Sequence, residues 1–594
     1  MFQSVPQMLF NTIENHANKD VFRYKRDGET KSITYEELKV TITKLVHGLL
    51  QKGIVEGDKI AILSNNRPEW PIADFSAFIL HGVVVPIYQT LPPNQIEYIL
   101  KDANVRAIFV EDNEQYTKIK QIKDNLPNLE FIFSFSDIKD AHSDIETFDA
   151  LIQQGADGNS TKIKELIDSI DPDEICSLVY TSGTTGKPKG VMLHNRGFIT
   201  DIINSEAVLN LLPEDVFMSF LPLSHLYERL AGHWCPIYRG ATIHYAQSIN
   251  TVVQDIAEAK PTVMVSVPRL YEKIAAAVFE QVDNGSMVKR KIFNWALKTG
   301  LAYHKQRNSG HVSAWLQKKY NFADKLAFTK IKTKLGGSFR YPIAGGAPLS
   351  VETLKFFEAI GLPIIEGYGM TETHLIITLT PFGGTKYGSC GKSIQCVELK
   401  ISDEGEVLVK GETLMKGYYN QPELTREVID KDGWLHTGDI GYIDEDNFLF
   451  LTDRKKNILV TSGGKNVASA PIENKLKQSK YIDDVCLIGD QRKFISALII
   501  PNFDNLTKWA RNNELNTDDI ANLVKSPAVV TMMEKEIEKY QEDFARFEKV
   551  KKFILLSEPL TIENGELTPS LKIKKEIVKN KFKNEIEALY SEVS

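Results

Sequence analysis

A short run rich in glycine, hydroxyl groups and lysine most constrains how this chain can fold, because it interrupts apolar sequence on both sides. It spans Tyr180 to Gly190 and reads Tyr-Thr-Ser-Gly-Thr-Thr-Gly-Lys-Pro-Lys-Gly. Glycines let a backbone approach a polyanion closely, amide N–H groups and hydroxyls donate hydrogen bonds, and lysines supply compact positive charge. Few structural roles need all three, so the run predicts a phosphate-binding loop and hence nucleotide chemistry.

The spacing of this run differs from that of a Walker-type loop, which places four residues between its glycines and leads into a helix. Here only two residues separate Gly183 from Gly186. Short apolar runs at 175–180 and 191–193 lie on either side, and they predict a loop between two strands. The alternative interpretation is an exposed, flexible turn rich in Ser, Thr and Gly, and the apolar flanks argue against it.

Length and composition set broad limits on the class of protein. The 594 residues predict several compact units, and 42% apolar with 25% charged residues is ordinary for a globular protein. The net charge of −7 excludes a chain that is basic throughout, so no nucleic-acid partner is expected. Because neither a membrane-spanning stretch nor a signal peptide is evident, we expect a cytoplasmic location. Five cysteines without Cys-x-x-Cys spacing argue against a disulfide framework or a zinc site.

The pattern of the sequence changes along the chain and predicts its domains. In the first half, short β-rich runs such as 59–63 alternate with amphipathic stretches such as 35–50, which is typical of layered α/β architecture. From Gly388 onward, short strand-like runs with turn signals predict a β-rich subdomain. We therefore expect an α/β fold with a large N-terminal domain, residues 1–453, and a small, mobile α+β C-terminal domain, residues 454–594.

One segment, from Lys289 to Lys334, has an unusual charge. It contains twelve lysine and arginine residues but only one acidic residue, Asp324, and seven aromatic residues lie among the charges. This composition indicates a basic amphipathic region that can rest on an anionic membrane surface. The alternative is a solvated helical face whose aromatic residues lie in the core.

Further short patterns contain residues suited to nucleotide binding. The runs 345–347 (Gly-Gly-Ala) and 366–372 (Glu-Gly-Tyr-Gly-Met-Thr-Glu) place glycines around an aromatic ring, followed by a hydroxyl and a carboxylate. Such a set can stack on a base and bind a metal. The run 433–439 ends in Asp439, whose carboxylate can accept hydrogen bonds from ribose hydroxyls, and Arg454 adds a guanidinium. Each pattern alone is often only a turn, so their order and co-occurrence carry the prediction.

Together with three other runs, these patterns resemble the AMP-forming acyl-CoA synthetases over most of the chain. The three runs are 221–225 (Leu-Pro-Leu-Ser-His), 462–466 (Ser-Gly-Gly-Lys-Asn) and 568–572 (Thr-Pro-Ser-Leu-Lys). The long basic segment and the last run resemble the long-chain fatty acyl-CoA synthetase branch. Short-chain members more often end with Ser-Gly-Lys, so Ser-Leu-Lys at 570–572 departs from the general pattern while matching this branch.

The resemblance implies a two-step ligase that uses ATP, Mg²⁺, coenzyme A and a long-chain fatty acid. The fatty carboxylate first attacks the α-phosphate of ATP to give acyl adenylate and pyrophosphate, and the coenzyme A thiol then displaces AMP. Lys572 would bridge the carboxylate and the phosphate, Thr371 would contact the α-phosphate, and Glu372 would coordinate Mg²⁺. Without the resemblance, the preferred interpretation of Lys572 is a solvated residue of a basic tail. His225 would position the carboxylate, and its alternative is a buried core histidine.

The resemblance also assigns the remaining binding residues. Tyr368 would pack on adenine, Asp439 and Arg454 would hold the ribose, and Lys456 would be the hinge about which the small domain rotates between the steps. The residues predicted to bind ATP or coenzyme A are Thr181, Ser182, Gly183, Thr184, Thr185, Gly186, Lys187, Lys189, Gly345, Gly346, Ala347, Glu366, Gly367, Tyr368, Gly369, Asp439, Arg454, Lys456, Gly463, Gly464 and Lys465.

Two other functions fit parts of this sequence. One is a fatty acyl-AMP ligase that passes the acyl group to a carrier protein. The other is a catalytically inactive scaffold that binds lipid or nucleotide, which the complete set of expected catalytic residues argues against. Trp234 is expected to be a core residue rather than part of an acyl channel.

Overall fold

A computed structural model describes residues 2–138, 145–181, 187–248, 251–568 and 572–591. Amphipathic helices pack on its sheets, as the sequence pattern predicts. The stretch 35–50, for example, forms a helix, Tyr35–Gln51. A capping box between Thr34 and Glu37 begins this helix, and the apolar residues spaced along one face are buried.

The strands are β1 (Asp20–Arg26), β2 (Glu29–Thr34), β3 (Lys59–Leu63), β4 (Val83–Ile87), β5 (Ala107–Val110), β6 (Phe131–Ser134), β7 (Ile145–Thr147), β8 (Ile175–Thr181), β9 (Lys189–His194), β10 (Val216–Ser219), β11 (Thr242–Tyr245), β12 (Val263–Ser266), β13 (Tyr341–Ala344), β14 (Ile365–Met370), β15 (Leu375–Leu379), β16 (Lys392–Ser393), β17 (Val397–Ile401), β18 (Glu406–Gly411), β19 (Gly417–Tyr418), β20 (Leu435–Ile443), β21 (Leu449–Arg454), β22 (Ile458–Val460), β23 (Asn466–Ala468), β24 (Ile482–Ile488), β25 (Ile495–Pro501) and β26 (Val550–Leu555). The helices are α1 (Val5–His16), α2 (Tyr35–Gln51), α3 (Glu69–Ile79), α4 (Pro93–Asp102), α5 (Asn113–Ile122), α6 (Phe148–Gln154), α7 (Ser160–Asp168), α8 (Asn195–Leu209), α9 (Cys235–Tyr238), α10 (Val252–Ala259), α11 (Pro268–Asp283), α12 (Met287–Asn308), α13 (Ala314–Ala323), α14 (Thr329–Lys334), α15 (Val351–Ala359), α16 (Pro422–Val428), α17 (Ser469–Leu476), α18 (Phe503–Asn512), α19 (Ile520–Leu523), α20 (Pro527–Tyr540), α21 (Lys575–Lys581) and α22 (Lys583–Ser591).

The glycine-rich run lies between two antiparallel strands of an eight-stranded sheet, whose order is β19-β9-β8-β4-β3-β5-β6-β7. β8 ends at Thr181, β9 begins at Lys189, and these two residues pair across the strands. The prediction of a loop between two strands, rather than between a strand and a helix, is confirmed. Residues 182–186, which include five predicted phosphate-binding positions, lie outside the described residues.

A nine-stranded sheet brings several of the predicted patterns to one edge. Its order is β16-β15-β14-β13-β12-β10-β11-β1-β2, and β10, β12, β13 and β14 run parallel. The carboxyl ends of parallel strands meet at the same edge of a sheet. The runs 221–225, 345–347 and 366–372 follow or end β10, β13 and β14, so the sheet itself places them side by side.

The C-terminal part of the chain forms a smaller domain. Strands β17, β18, β20 and β21 make the predicted β-rich sheet of the large domain, and β21 ends at Arg454. Beyond it, a β22–β23 hairpin and a three-stranded sheet of β24, β25 and β26 pack with helices around apolar clusters of their own. The predicted α/β class, with a large N-terminal and a smaller C-terminal domain, is confirmed.

The aromatic residues of the basic segment divide between the core and the surface. Phe293 and Phe328 are buried, as the core interpretation predicts, whereas Trp315 and Phe322 are 69% and 60% exposed. Trp234 is buried against Phe198, in line with its expected core role. None of the described helices is long and apolar enough to cross a membrane.

Candidate active site

A cleft of about 3760 Å³ lies between the two domains, and most of the predicted site residues line it. The glycine-rich run contributes Thr181 and Lys189 from the ends of β8 and β9. The nine-stranded sheet contributes 345–347 and 366–372, and the small domain contributes Lys572. The fold therefore joins residues that are almost 400 positions apart in the sequence.

The lysines beside the phosphate loop are held by aromatic rings. Lys187 Nζ lies 5.4 Å from the centre of the Tyr98 ring, and Tyr98 donates a hydrogen bond to the Pro188 carbonyl (3.1 Å). Lys189 Nζ lies 5.1 Å from the centre of the Tyr418 ring. Cation–π contacts of this kind orient an ammonium group without neutralising it. Both cations are therefore free to act on an anion.

The positive charge of Lys456, the predicted hinge residue, also acts on Lys189. Burial lowers the pKa of Lys189, and the positive charge of Lys456 lowers it further, while the Glu372 carboxylate opposes the change. Lys189 and Lys456 both line the cleft, and they lie close enough for their charges to interact.

Glu372 is the predicted metal ligand, and its surroundings fit a Mg²⁺ ion bound mainly by phosphates. It lies in a single 3₁₀ turn, Thr371–Thr373, and its Oε1 accepts a hydrogen bond from the Tyr418 hydroxyl (2.9 Å). Among the described residues, no cluster of three or more His, Cys, Asp or Glu side chains offers a complete protein cage. Mg²⁺ is commonly held by one or two carboxylates together with substrate phosphates, so a single carboxylate is enough.

Two glycines around Tyr368 are required by the backbone. Gly346 has φ +80°, which favours glycine over any residue with a side chain. A Cβ atom on Gly369 would lie 1.4 Å from the Leu375 carbonyl oxygen, so no larger residue fits. Both glycines line the cleft together with Tyr368, and they present backbone there without a side chain. Nearby, burial raises the pKa of Glu366 to about 8, so its side chain is mainly neutral at pH 7.

Tyr368, Asp439 and Arg454 form a connected polar group. The Tyr368 hydroxyl donates to Asp439 Oδ2 (2.6 Å), and Arg454 Nε lies 3.1 Å from Asp439 Oδ1. Asp439 and Arg454 face each other across β20 and β21. The Asp439 carboxylate is only 8% exposed, so its orientation is set by these two partners. The sequence predicted all three residues for the nucleoside but not the hydrogen bond that links them.

Lys572, in the small domain, lies close to Asp439 and Arg454. Burial by the walls of the cleft lowers its pKa, as does the charge of Arg454, while Asp439 opposes the shift. The side chain is nevertheless open to solvent within the cleft. Lys572 thus lines the cleft, and its catalytic role stays a prediction.

His225 faces Lys572 at the wall of the cleft. Burial and the charge of Lys572 lower the pKa of His225 to about 4, so the ring is neutral at pH 7. The Tyr227 backbone N–H donates to Nδ1 (3.1 Å), which leaves Nε2 as the protonated nitrogen. His225 can therefore donate a hydrogen bond to a substrate oxygen without adding charge.

Among the described residues, four of the predicted ones do not line the cleft in this arrangement: Lys187, Gly463, Gly464 and Lys465. Gly463, Gly464 and Lys465 lie in the turn between β22 and β23, where the Thr461 N–H donates to the Lys465 carbonyl. Tyr98 and Tyr418, in contrast, contact the lysines of the site although no pattern predicted them. A lone tyrosine carries no local signal, because its role depends on which lysine the fold brings to it.

Comparison with known proteins places the chain in a family. The chain belongs to the AMP-binding enzyme family, which matches residues 9–419, and residues 456–594 match the AMP-binding enzyme C-terminal domain. The long-chain-fatty-acid–CoA ligase FadD15 of Mycobacterium tuberculosis is 31% identical over 99% of this chain and 97% of its own length. The long-chain-fatty-acid–CoA ligase ACSBG2 of Xenopus laevis is 30% identical over 99% of this chain and 84% of its own. The family predicted from the ordered patterns is thereby confirmed.

Solved structures with low sequence identity share the fold. The anthranilate CoA ligase AuaEII, in complex with anthranoyl-AMP, aligns over 98% of both chains with a TM-score of 0.74 and 21% identity. The A domain of the carboxylic acid reductase from Segniliparus rugosus, in complex with AMP and a co-purified carboxylic acid, aligns over 100% of this chain and 94% of its own, with a TM-score of 0.77 and 20% identity. The arrangement of a large and a small domain is therefore common to all three chains.

Proposed function

We propose that this protein is an AMP-forming long-chain fatty acid:CoA ligase. The observation that carries the proposal is the position of Lys572, which meets Asp439, Arg454 and His225 in the cleft that also contains the phosphate loop. The names of the relatives that align over nearly the whole chain support the same activity. The proposed division into domains is 1–453 and 454–594, with the nucleotide between them.

In the first step, a fatty carboxylate oxygen attacks the α-phosphorus of ATP, and the bond to the β-phosphate oxygen breaks to release pyrophosphate. Little covalent chemistry falls to the protein, so catalysis depends on position and charge. Tyr368, Asp439 and Arg454 would hold the nucleoside, with Gly345, Gly346, Ala347, Gly367 and Gly369 offering backbone at close range. Lys187, Lys189 and Thr181, with the loop 182–186, would hold the β- and γ-phosphates.

Lys572, Thr371 and His225 would act at the reacting atoms. The Lys572 ammonium stabilises the negative charge shared by the carboxylate and the α-phosphate as they approach. Thr371 would donate its hydroxyl to the same phosphate. Neutral His225 would donate Nε2–H to the carboxylate, which orients the acid without weakening it as a nucleophile. Bound Mg²⁺, held by Glu372, would neutralise charge on the phosphate oxygens.

In the second step, the coenzyme A sulfur attacks the acyl carbonyl carbon, and the bond to the AMP oxygen breaks. The thiol needs the space that Lys572 occupies, so the small domain would rotate about Lys456. The turn that contains Gly463, Gly464 and Lys465 would then line the thiol entrance. Its present position outside the cleft is the one expected before such a rotation.

The proposed activity is tested by pyrophosphate release with fatty acids of graded length, with and without coenzyme A. We expect release that depends on fatty acid and ATP, followed by acyl-CoA only when coenzyme A is present. An enzyme that serves a carrier protein would instead accumulate acyl adenylate, which hydroxylamine traps, whether or not coenzyme A is added. That second candidate is not favoured, because the aligned relatives are named as CoA ligases.

The hydrogen bond from Tyr418 to Glu372 gives a specific prediction for the binding of magnesium-ATP. Tyr418→Phe keeps the ring beneath Lys189 but removes the hydrogen bond to Glu372. A hydrogen bond to a charged group contributes about 1.5–3 kcal/mol, so we expect the KM for magnesium-ATP to rise about tenfold or more. Steady-state kinetics at varied magnesium-ATP check this result. Tyr442→Phe, at an exposed tyrosine of β20, serves as the control, and an unchanged KM in Tyr418→Phe contradicts the assigned role.

We also propose transient contact with an anionic membrane, where long-chain fatty acids partition. Exposed apolar residues concentrate in the basic segment and in the two residues that precede it: Met287, Val288, Trp315, Phe322 and Leu326 are each at least 44% exposed. The Trp295 and Phe322 rings lie 6.0 Å apart, and Lys319 Nζ lies 4.8 Å from the Trp315 ring. Aromatic side chains surrounded by lysines suit the interface of an anionic lipid surface.

This contact predicts the behaviour of a double variant in vesicle sedimentation. Burial of one large apolar side chain contributes about 1.5–3 kcal/mol, so replacing Trp315 and Phe322 by Ser should lower binding to phosphatidylglycerol–phosphatidylcholine vesicles at least about tenfold. Wild-type binding should also weaken at high salt. The control is Tyr442→Ser, which removes a similarly exposed aromatic residue of β20, outside the basic segment. Absence of the wild type from the pellet at low and high salt alike contradicts the proposal.

A further inference from the structure

Lys575 forms an ion pair three residues after Lys572. Its Nζ donates to Ser469 Oγ (2.8 Å) and to Glu473 Oε1 and Oε2 (2.8 and 2.9 Å). The side chains of Lys575 and Glu473 are only 20% and 11% exposed. A long, flexible lysine is thus held by three acceptors in a confined space. Such a geometry fixes the backbone of Lys575 far more firmly than an exposed pair would.

The acceptor side of this pair is itself part of the small-domain core. Ser469 and Glu473 lie one turn apart on α17, so both face Lys575. The Leu487 backbone N–H, on β24, also donates to Glu473 Oε1 (2.9 Å). The position of the carboxylate is therefore set by α17 and the central sheet together.

The same helix contacts the strand that carries Arg454. The Ala470 backbone N–H, in the first turn of α17, donates to Asp453 Oδ2 (3.1 Å), and Asp453 is only 7% exposed. A continuous series of contacts therefore runs from β21, which ends at Arg454, through α17 to Lys575. This series is independent of Lys572 itself.

On the other side, Lys575 directly follows the segment 572–574, which pairs with the segment 566–568. The Lys574 N–H donates to the Glu566 carbonyl (2.8 Å), and Glu566 is almost fully buried. The Thr568 N–H donates to the Lys572 carbonyl (2.8 Å), and the Lys572 N–H donates to Thr568 Oγ1 (3.0 Å). Lys572 thus projects from an arm whose base is fixed at Lys575.

We propose that Lys575 is a positioning residue for the adenylation step, because its ion pair with Glu473 sets where Lys572 lies over the cleft. The inference rests on the proposed function, since it needs Lys572 to act on the carboxylate and the α-phosphate. Lys575 itself touches no reacting atom. Its contribution belongs to the first step alone, because Lys572 leaves the site before the thiol attacks.

The test measures the two half-reactions separately in the full-length protein. Fatty acid-dependent pyrophosphate release reports the first, and conversion of synthetic acyl adenylate with coenzyme A reports the second. Displacement of a catalytic group by about 1 Å costs up to about 10²-fold in rate, so Lys575→Met should slow the first half-reaction at least about tenfold. The second should proceed at the wild-type rate. Lys575→Arg, which restores a cation that can pair with Glu473, should recover the first.

A matched control and a second variant make the outcomes distinct. Lys583→Met removes an exposed lysine from the next helix and should change neither half-reaction. Glu473→Gln keeps the size of the acceptor but loses its charge, and it should reproduce the selective loss. Equal losses in both half-reactions for Lys575→Met and Glu473→Gln, or no benefit of Arg over Met, overturn the proposal. Absence of fatty acid-dependent pyrophosphate release in the wild type would instead overturn the proposed function.

Discussion

Replacing Lys572 by Ala is expected to lower fatty acid-dependent pyrophosphate release by about 10²- to 10³-fold, the usual effect of removing one group that stabilises transition-state charge. The reason is its position: the ammonium lies with Asp439, Arg454 and His225, where the carboxylate would meet the α-phosphate. Conversion of supplied acyl adenylate to acyl-CoA should be preserved, because the proposed second step begins only after Lys572 has left.

Lys572→Arg separates charge from geometry in the same experiment. Arginine keeps the positive charge, but its planar fork cannot occupy the compact position of an ammonium. We expect partial activity, between those of the wild type and Lys572→Ala. Pyrophosphate release at the wild-type rate in Lys572→Ala would contradict the assignment of this lysine, whatever the overall acyl-CoA yield.

Lys456→Pro is expected to give the opposite pattern to Lys572→Ala, with a loss in the second half-reaction and not in the first. Lys456 lies in a single 3₁₀ turn, Lys455–Asn457, whose φ proline can adopt, so the present domain arrangement should be retained. Proline fixes φ near −65° and therefore resists the backbone rotation that the second step needs. Adenylation should be largely preserved, whereas acyl-CoA formation should fall about 10²-fold, the effect of a barrier raised by about 2.7 kcal/mol.

The control for this variant is Lys456→Met, because proline also removes a positive charge close to Lys189. Methionine removes the charge but leaves the backbone free to rotate. If the hinge assignment is correct, Lys456→Met keeps far more acyl-CoA formation than Lys456→Pro. Equal loss of both half-reactions in Lys456→Pro would contradict the assignment.

The sequence predicted those parts of the site in which residue type and local spacing determine the structure. The apolar runs flanking 182–186 identified two strands, and parallel strands necessarily deliver their ends to one edge, which explains why the patterns at 345–347 and 366–372 converge. The boundary at residue 454 stays a prediction from the change in pattern. The assigned roles of individual residues also stay predictions.

Other features depend on contacts between distant segments and have no local signal. Tyr418 meets Lys189 and Glu372 only because β19 pairs with β9 at the edge of a sheet. Lys575 has no local signal either, because its partner Glu473 lies about a hundred residues away. Composition alone likewise did not separate Trp315, which is exposed, from Phe328, which is buried. The packing of α12 to α14 determines which of these two rings is exposed.

The charge interaction between Lys189 and Lys456 would link the occupancy of the predicted phosphate loop to the orientation of the small domain. The two ammonium groups repel each other, the Glu372 and Glu427 carboxylates oppose this effect, and a bound polyphosphate would relieve the repulsion further. By thermodynamic linkage, an anion that binds this arrangement more tightly must also stabilise it to the same degree. Departure of pyrophosphate would remove that stabilisation, so the loss of the first product would itself favour the domain movement proposed for the second step.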